Sequence, residues 1–189
     1  LVHMDKVNPR ACAIIVAGGS GSRARAAGDA LSVPKQLQML GGKPVITWSV
    51  KAFAVDVRFK QIIIVCADTI RAEIAATVAP HTLEFAQGGA TRTQSVQSGL
   101  ALVDTEQIDL IFIHDAARPG LNQSVLDALF ATLGQGADGA APARPVADAL
   151  WHVSDSDLTA SQDRTNLLRV QTPQAFLSSK IVAAYAKLG

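Results

Sequence analysis

Residues 11–23, ACAIIVAGGSGSR, join a short apolar run to a glycine-rich turn. An apolar run of this length, followed directly by glycine, is typical of a parallel strand that is buried on both faces. Glycine in the turn lets backbone N–H groups approach a phosphate without interference from a Cβ atom. Because ligands bind at the carboxyl ends of strands in open α/β sheets, the stretch predicts an α/β fold with a phosphate site after its first strand.

The rest of the chain alternates short β-branched runs with amphipathic or alanine-rich stretches, the pattern of a parallel sheet covered by helices on both faces. Asp68 is expected to cap the second helix, and Thr91 or Thr93 the third. The polar tract 144–171 departs from this pattern and predicts a hairpin-like arm. Predicted strands are 11–16, 61–66, 83–87, 109–113 and 139–143, with strand-like pieces at 149–153 and 167–171 in the arm; predicted helices are 45–54, 69–78, 93–102, 124–133 and 178–187.

Length and composition indicate one globular domain. The chain has 189 residues, of which 49% are hydrophobic and 17% charged, enough apolar side chain for a sizeable core. A formal net charge of +1 excludes an extended basic field, so we expect neither a nucleic acid nor a membrane partner. Cys12 and Cys66 lie inside apolar runs, which argues against disulfides or zinc. We therefore expect a single cytoplasmic domain over residues 5–189, preceded by a tag remnant at residues 1–4.

Two classes of nucleotide-binding protein share the glycine-rich turn. Gly19 and Gly21 also fit the looser fingerprint of an NAD-binding Rossmann module. Such a module needs an acidic residue about 20 positions further on to hold the ribose, and residues 37–43 contain none. Arg23 and Lys35 instead place two cations on one long loop, which suits a triphosphate. The NAD-binding module remains the alternative from a different class.

Five motifs, taken in order, resemble those of the 2-C-methyl-D-erythritol 4-phosphate cytidylyltransferase family. The resemblance runs from Cys12 to about Tyr185. It implies a three-layer Rossmann-like nucleotidyltransferase fold with a mostly parallel sheet and a protruding dimerisation arm at about 144–171, and hence a homodimer. The third and fourth motifs together are highly specific, whereas many nucleotidyltransferases share the first. The motifs are AGGSGSR (17–23), PKQ (34–36), GGATRTQSV (88–96), HDAARP (114–119), and Arg164 with TPQ (172–174).

The resemblance implies transfer of a cytidylyl group from CTP to 2-C-methyl-D-erythritol 4-phosphate in non-mevalonate isoprenoid biosynthesis. The products would be 4-diphosphocytidyl-2-C-methyl-D-erythritol and pyrophosphate, with Mg²⁺ as the cofactor. The acceptor phosphate is itself the nucleophile, so catalysis should come from alignment and charge neutralisation. A cytidylyltransferase for another polyol phosphate, such as ribitol 5-phosphate, is the alternative in the same class, because such relatives share the early motifs.

The matched motifs also imply roles for individual residues. Arg23 and Lys35 would stabilise the charge of the transition state, and Arg164 would position the acceptor. Arginine suits this role because its planar fork matches a phosphate. The nucleotide-binding candidates are Ala17, Gly18, Gly19, Gly21, Gly88, Gly89, Ser95 and Asp115, and the acceptor-binding candidates are Arg118, Arg164 and Thr172.

Asp115 is the candidate metal ligand. It follows an apolar run whose carboxyl end lies where sites are built, and a carboxylate is a hard oxygen ligand that suits Mg²⁺ on phosphates. A helix cap or a salt bridge to Arg118 is the structural alternative. His114 precedes Asp115 and is expected to be structural, because the transfer requires no general base.

The sequence departs from the family pattern at two points. Ala149 stands where the family commonly has a threonine, which removes a hydroxyl expected near the substrate. The chain also stops at Gly189, whereas the family continues with an acidic segment and a late Asn-x-Lys element whose lysine positions the acceptor phosphate. In some bacteria this domain is fused to methylerythritol cyclodiphosphate synthase, so the N-terminal part of a bifunctional enzyme is one interpretation of the chain.

Overall fold

Strands and helices alternate along the residues that the computed structural model describes, 8–18 and 33–188. Residues 1–4, Gly19, Gly21 and Arg23, all singled out above, lie outside these ranges. The helices are α1 (Val45–Ala54), α2 (Asp68–Val78), α3 (Arg92–Leu100), α4 (Gln123–Gly134) and α5 (Ser178–Ala186), with a 3-10 turn at Lys35–Leu37. The strands are β1 (Ala11–Val16), β2 (Met39–Leu40), β3 (Lys43–Pro44), β4 (Phe59–Cys66), β5 (Glu84–Gln87), β6 (Leu110–Asp115), β7 (Gly139–Ala140), β8 (Ala143–Pro145), β9 (Leu150–Ser154), β10 (Asp157–Gln162), β11 (Leu168–Val170) and β12 (Gln174–Leu177).

The main sheet has six strands in the order β5-β4-β1-β6-β12-β7. The strands β5, β4, β1 and β6 are parallel to one another, while β12 runs antiparallel to both of its neighbours. The chain leaves β1 toward β4 on one side and later returns to β6 on the other. This change of direction beside β1 is the topological switch point at which α/β proteins bind ligands. The predicted α/β class with a mostly parallel sheet is confirmed.

Helices cover both faces of this sheet. Alternate residues of β1 point to opposite faces, so that Ala13 and Ile15 belong to one apolar cluster and Cys12 and Ile14 to the other. The first cluster is completed by α1, α2 and α4, and the second by α3 and α5. Two apolar layers therefore fix the sheet from both sides and hold the ends of its strands in place.

The surroundings of the two cysteines can be compared directly with the sequence prediction. Cys12 and Cys66 are free and buried, as the apolar runs predicted, and burial raises the pKa of both thiols. Among residues 8–18 and 33–188, no helix has both the length and the apolar character needed to cross a bilayer.

The fifth predicted strand is wrong in its bounds. The stretch 139–143 is divided between β7 in the main sheet and β8 outside it. The strand that completes the sheet, β12, was not predicted. Its residue Phe176 fills the space above Gly139, where an added Cβ would lie 2.7 Å from the ring. A glycine is therefore required in β7 for β12 to pair there.

The helix starts follow the predictions in one case and contradict them in another. Thr91 caps α3 with a capping box, in which its hydroxyl accepts from the Gln94 N–H and the Gln94 side chain accepts from the Thr91 N–H. The predicted cap at Asp68 is wrong, because α2 already includes Asp68 and no side chain caps it. Asp68 instead forms an ion pair with Arg71 at 2.7 Å.

Residues 143–170 form two antiparallel strand pairs outside the main sheet. β8 pairs with β11, and β9 pairs with β10 across a turn in which Asp155 and Ser156 have positive φ. None of the residues 143–170 is buried. Trp151, Val153 and Leu158 are among the apolar side chains that expose more than half of their surface. We call residues 143–170 the arm.

Candidate phosphate and nucleotide site

Gly18, which follows β1, packs directly against the turn after β5. A Cβ atom added to Gly18 would lie 3.4 Å from the Gly88 Cα atom and 3.5 Å from the Ser95 Oγ atom. A Cβ atom added to Gly88 would in turn lie 3.4 Å from the Gly18 Cα atom. Ala17, buried beside them, donates its N–H to the Val65 carbonyl at 2.7 Å. The structure therefore brings together three predicted nucleotide-binding residues, Ala17, Gly18 and Gly88, at the carboxyl edge of the sheet.

Ser95 holds the turn at Gly88 and Gly89 by hydrogen bonds. Its hydroxyl accepts the Gly89 N–H at 3.0 Å and donates to the Thr91 carbonyl at 3.0 Å, and the side chain is buried. Gly89 can be replaced by no larger residue without distortion, because a Cβ atom there would lie 2.4 Å from the Gln94 Cβ atom. The hydroxyl of Ser95 thus has one lone pair left for a ligand.

Lys35 is held near the end of β1 by its neighbour Gln36. The Gln36 side chain is buried and donates to the Ala17 carbonyl at 2.7 Å. Lys35 itself is exposed at the start of the 3-10 turn. Arg23, its predicted companion, lies outside the described residues. Gln36 belongs to the motif at residues 34–36, but the sequence did not predict its role, because its partner is a backbone carbonyl 19 positions away.

Asp115 ends β6 and lies between two arginines. The Arg92 Nε atom lies 3.1 Å from one carboxylate oxygen, and the Arg118 Nε atom lies 3.1 Å from the other. Arg92 also approaches the Gln174 Oε1 atom at 3.4 Å, and Arg118 donates to the Gln171 Oε1 atom at 2.6 Å. The salt bridge to Arg118, the structural alternative for Asp115, is therefore present.

Sequence reasoning missed Arg92. Arg92 lies inside the motif at residues 88–96, and one signal for its role was available. Arg92 is the first residue of a helix that begins immediately after the glycine pair, at the same edge of the sheet where β6 ends. A cation at that position can reach a carboxylate at the end of a neighbouring strand.

His114 is fully buried beneath this edge. Its Nε2 atom lies 3.2 Å from the Arg118 carbonyl oxygen, and its Nδ1 atom lies 3.1 Å from the Thr172 hydroxyl. The ring also packs edge-on against Phe53, with 5.5 Å between centroids. Burial lowers the pKa of His114 to about 4, so the ring is neutral near pH 7. A neutral ring that is sealed from solvent agrees with the predicted structural role.

Thr172 lies beside Asp115, whereas Arg164 belongs to the arm. The Asp115 N–H donates to the Thr172 hydroxyl at 3.3 Å. The Arg164 guanidinium donates to the Ala147 carbonyl, which is also in the arm. The structure therefore joins two acceptor-binding candidates, Arg118 and Thr172, to Asp115, and its hydrogen bonds do not join Arg164 to them.

Asp115 could supply one carboxylate ligand to a metal ion. No group of three or more His, Cys, Asp or Glu side chains suited to a metal occurs in the described part of the chain. Mg²⁺ at nucleotide sites is commonly held by one or two carboxylates together with phosphates and water. One carboxylate at this edge, with 31% of its side chain exposed, fits that donor set provided that it exchanges an arginine for the ion.

Comparison with known proteins gives one family. The family "2-C-methyl-D-erythritol 4-phosphate cytidylyltransferase" matches residues 11–188. The chain is 47% identical over 178 residues to a "Bifunctional enzyme IspD/IspF" of Hyphomonas neptunium, covering 94% of this chain and 44% of the relative. It is 42% identical over 175 residues to a "2-C-methyl-D-erythritol 4-phosphate cytidylyltransferase" of Cereibacter sphaeroides, covering 92% of this chain and 75% of the relative.

A solved structure shares the fold. The crystal structure of "4-diphosphocytidyl-2C-methyl-D-erythritolsynthase" from Anaerococcus prevotii superposes with a TM-score of 0.78 at 23% sequence identity, covering 96% of this chain and 77% of that chain. The present chain thus spans less than half the length of the bifunctional relative and about three quarters of the monofunctional one.

Proposed function

The chain belongs to the 2-C-methyl-D-erythritol 4-phosphate cytidylyltransferase family, and we propose that it transfers the cytidylyl group of CTP to 2-C-methyl-D-erythritol 4-phosphate. The observation that carries this proposal is the convergence of Gly18, Gly88, Asp115 and Thr172 from separate family motifs on one edge of the sheet. The products are 4-diphosphocytidyl-2-C-methyl-D-erythritol and pyrophosphate.

The reaction needs charge neutralisation more than proton transfer. An acceptor phosphate oxygen forms a bond to the α-phosphorus of CTP, and the bond from that phosphorus to the bridging oxygen breaks, so pyrophosphate leaves with the electron pair. Lys35 and Arg23 would stabilise the negative charge on the triphosphate. Support for Lys35 comes from the Gln36 bond to Ala17, which anchors the exposed lysine beside the strand end.

The nucleotide is proposed to lie over the glycine pairs. Gly18, Gly88 and Gly89, with Gly19 and Gly21, would meet the nucleotide with backbone groups, since no Cβ atom blocks their approach. Ser95 would offer its remaining lone pair to the base. This assignment is supported by the close contact between Gly18 and Gly88 and by the buried position of the Ser95 hydroxyl.

Asp115 is the residue that would hold Mg²⁺. When bound, the ion supplies positive charge that neutralises phosphate oxygens. Asp115 would then release Arg92 or Arg118, and the freed guanidinium becomes available for a phosphate. Both guanidinium side chains are more than 40% exposed, so the exchange requires no rearrangement of the core.

The acceptor is proposed to bind between Arg118 and the arm. Arg118 lies beside Asp115, and a guanidinium binds a phosphate through two parallel hydrogen bonds. Arg164 lies in the arm, away from the hydrogen bonds around Asp115. We propose that the arm pairs with that of a second copy in a homodimer, so that Arg164 reaches the site of its partner. The exposed apolar side chains of the arm support this assembly.

The enzyme is proposed to act in the cytoplasm. Its cysteines, Cys12 and Cys66, are free and buried, which suits a reducing compartment.

Pyrophosphate release tests the proposed reaction. The full-length protein is incubated with CTP and Mg²⁺, with methylerythritol phosphate in one arm and ribitol 5-phosphate in the other. We expect rapid release with methylerythritol phosphate and little with ribitol 5-phosphate. Faster release with ribitol 5-phosphate would replace the acceptor but keep the reaction, whereas no release with either acceptor would contradict the proposed function.

A further inference from the structure

One chain of hydrogen bonds runs beneath the candidate site and crosses between two segments that are far apart in sequence. It leads from the Asp115 N–H to the Thr172 hydroxyl at 3.3 Å, on to the His114 Nδ1 atom at 3.1 Å, and from the His114 Nε2 atom to the Arg118 carbonyl at 3.2 Å. His114 is fully buried. Asp115, Thr172, His114 and Arg118 are therefore linked by hydrogen bonds, and the link through His114 is closed to solvent.

The direction of each hydrogen bond is determined by its ends. The Arg118 carbonyl has no proton, so the His114 Nε2 atom must donate to it. In the neutral ring the Nδ1 atom then has no proton and accepts from the Thr172 hydroxyl. The oxygen of that hydroxyl accepts the Asp115 N–H, which can only donate. The Thr172 hydroxyl is thus used both as donor and as acceptor within the protein.

Further hydrogen bonds link Asp115 directly to Arg118. Asp115 offers its carbonyl to the Arg118 N–H at 3.0 Å, and Arg118 returns its Nε atom to the Asp115 carboxylate at 3.1 Å. Arg118 also donates a hydrogen bond to the side chain of Gln171, the residue before Thr172. Residues 171 and 172 lie between the arm and β12, so these hydrogen bonds join the base of the arm to the end of β6.

We propose that His114 and Thr172 act as one positioning unit that fixes Asp115 and Arg118. The proposal rests on the proposed function for the meaning of the positions that it fixes. His114 touches no substrate in this arrangement. It acts by setting where the carboxylate of Asp115 and the guanidinium of Arg118 can point.

Four variants separate the proposal from its competitors. Thr172→Val removes the hydroxyl at nearly constant shape, and Thr172→Ser keeps it. His114→Phe removes both ring nitrogens but keeps an aromatic ring against Phe53. Thr132→Val is the matched control, because the Thr132 hydroxyl also donates a hydrogen bond, in its case to the Ala128 carbonyl on α4, away from the site.

The first measurement uses the protein without substrates. We expect the amide proton of Asp115 to exchange faster with solvent in Thr172→Val and in His114→Phe, but at the parental rate in Thr172→Ser and Thr132→Val. In the parent, ¹⁵N spectra of the imidazole should show the proton on Nε2. An unchanged exchange rate in Thr172→Val, or a proton on Nδ1 in the parent, overturns the proposal.

The second measurement is a double-mutant cycle on cytidylyl transfer. We expect Thr172→Val and His114→Phe each to lower kcat/KM by roughly 10–100-fold, the usual cost of removing a residue that orients a ligand, and to alter the Mg²⁺ dependence of CTP binding. The double variant should lose no more than the larger single loss, because the two side chains act together. Thr172→Ser should restore most of the activity.

Two kinetic outcomes contradict the positioning unit. Losses that multiply in the double variant show independent roles. A rise in the KM for the acceptor alone, with kcat and the Mg²⁺ dependence unchanged, shows direct contact between Thr172 and the acceptor. If His114→Phe does not fold, comparison of Thr172→Val with Thr172→Ser still decides the question. A parent that transfers no cytidylyl group contradicts the proposed function, while the exchange and ¹⁵N measurements still test the unit itself.

Discussion

At the scale of single residues, the Asp115 carboxylate has hydrogen-bond partners on both oxygens and yet can exchange them. Both of its oxygens are engaged by arginines, yet the Arg92 and Arg118 side chains are 44% and 43% exposed. Ion pairs at that level of exposure contribute little net stability, because water screens them and the long side chains lose entropy. On the proposed function, a divalent cation carried on a triphosphate would therefore displace either arginine at low cost, and the released guanidinium would remain near the phosphates.

Asp115→Asn tests whether that carboxylate holds the metal. The amide is nearly isosteric, so we expect an intact fold. CTP binding in the presence of Mg²⁺ should weaken by roughly tenfold or more, the loss that follows removal of a charged ligand oxygen, while binding without Mg²⁺ should change little. Calorimetric titration of CTP with and without Mg²⁺ measures both quantities.

Asp104→Asn is the matched control for Asp115→Asn, because Asp104 is an exposed carboxylate in a turn away from the site. It should respond to metal as the parent does. If Asp115→Asn also responds to metal as the parent does, Asp115 is a structural partner of the arginines and the metal lies elsewhere.

Lys35→Ala tests the cation that we assign to the triphosphate. Turnover should fall by at least ~100-fold, comparable to the loss of a strong electrostatic contact in a transition state. The free energy of unfolding should change by less than about 0.5 kcal/mol, as for other surface positions, because Lys35 is exposed. Arg23→Ala should lower turnover similarly.

Lys51→Ala, an exposed lysine on α1, serves as the control for Lys35→Ala and should retain parental turnover. Steady-state kinetics and thermal unfolding of the variants provide the measurements. Parental turnover in Lys35→Ala would remove the lysine from the catalytic machinery.

At the scale of elements, the loop before β4 is tied to α4 at the edge of the sheet opposite to the site. The buried Asp56 carboxylate accepts from Arg58 at 2.5 Å and from the Gln123 amide at 2.7 Å. The Arg58 guanidinium also lies 3.9 Å from the centre of the Phe130 ring. Burial alone would raise the pKa of Asp56, but the hydrogen bonds from Arg58 and Gln123 outweigh it and lower the pKa to about 2.

Asp56→Asn should therefore destabilise the protein in a pH-dependent way. The folded pKa of Asp56 lies below its usual value of 3.8, so its contribution is fully present above pH 4 and is lost as the pH falls toward 2. The shift corresponds to about 2 kcal/mol of the free energy of unfolding at pH 7. Denaturant unfolding of parent and variant at several pH values measures the difference.

The exposed Asp127 provides the control for Asp56→Asn. It also pairs with Arg58, but Asp127→Asn should cost less, because water screens an exposed pair. A gap between parent and Asp56→Asn that stays constant from pH 7 to pH 2 would show that packing, and not the charge of Asp56, causes the loss.

How much of these elements could be predicted depends on the range of the interactions that form them. The bounds of β1 and α1 were predicted to the residue, since apolar runs and a preceding proline are local signals. β12 was missed because four residues after a proline carry no periodicity, and their strand conformation comes from pairing with β6 and β7. Arg92 and Gln36 were missed for the same reason, as their partners are distant in sequence.

At the scale of the whole molecule, the arm is the part that one chain alone does not explain. It contains no buried residue between positions 143 and 170, so its strands gain little from the core of their own chain. Isolated two-stranded pairs are marginal in water. A second arm packed across a two-fold axis would cover the exposed apolar side chains and stabilise both. The same arrangement would carry Arg164 toward the partner's site.

Mixed dimers decide whether Arg164 acts in the partner's site. With the roles proposed above, homodimers of Lys35→Ala and of Arg164→Ala should each be nearly inactive, because every site would lack either a triphosphate cation or the residue that positions the acceptor. In a mixed dimer with Arg164 acting across the interface, one site has both defects, while the other combines an intact Lys35 from one chain with an intact Arg164 from the other. Co-refolding the two variants should then restore up to about half of the parental activity, measured as pyrophosphate release after the mixed dimer has been isolated with two different affinity tags. Isolated mixed dimers without recovered activity would place Arg164 in the site of its own chain, because both sites would then carry one defect each.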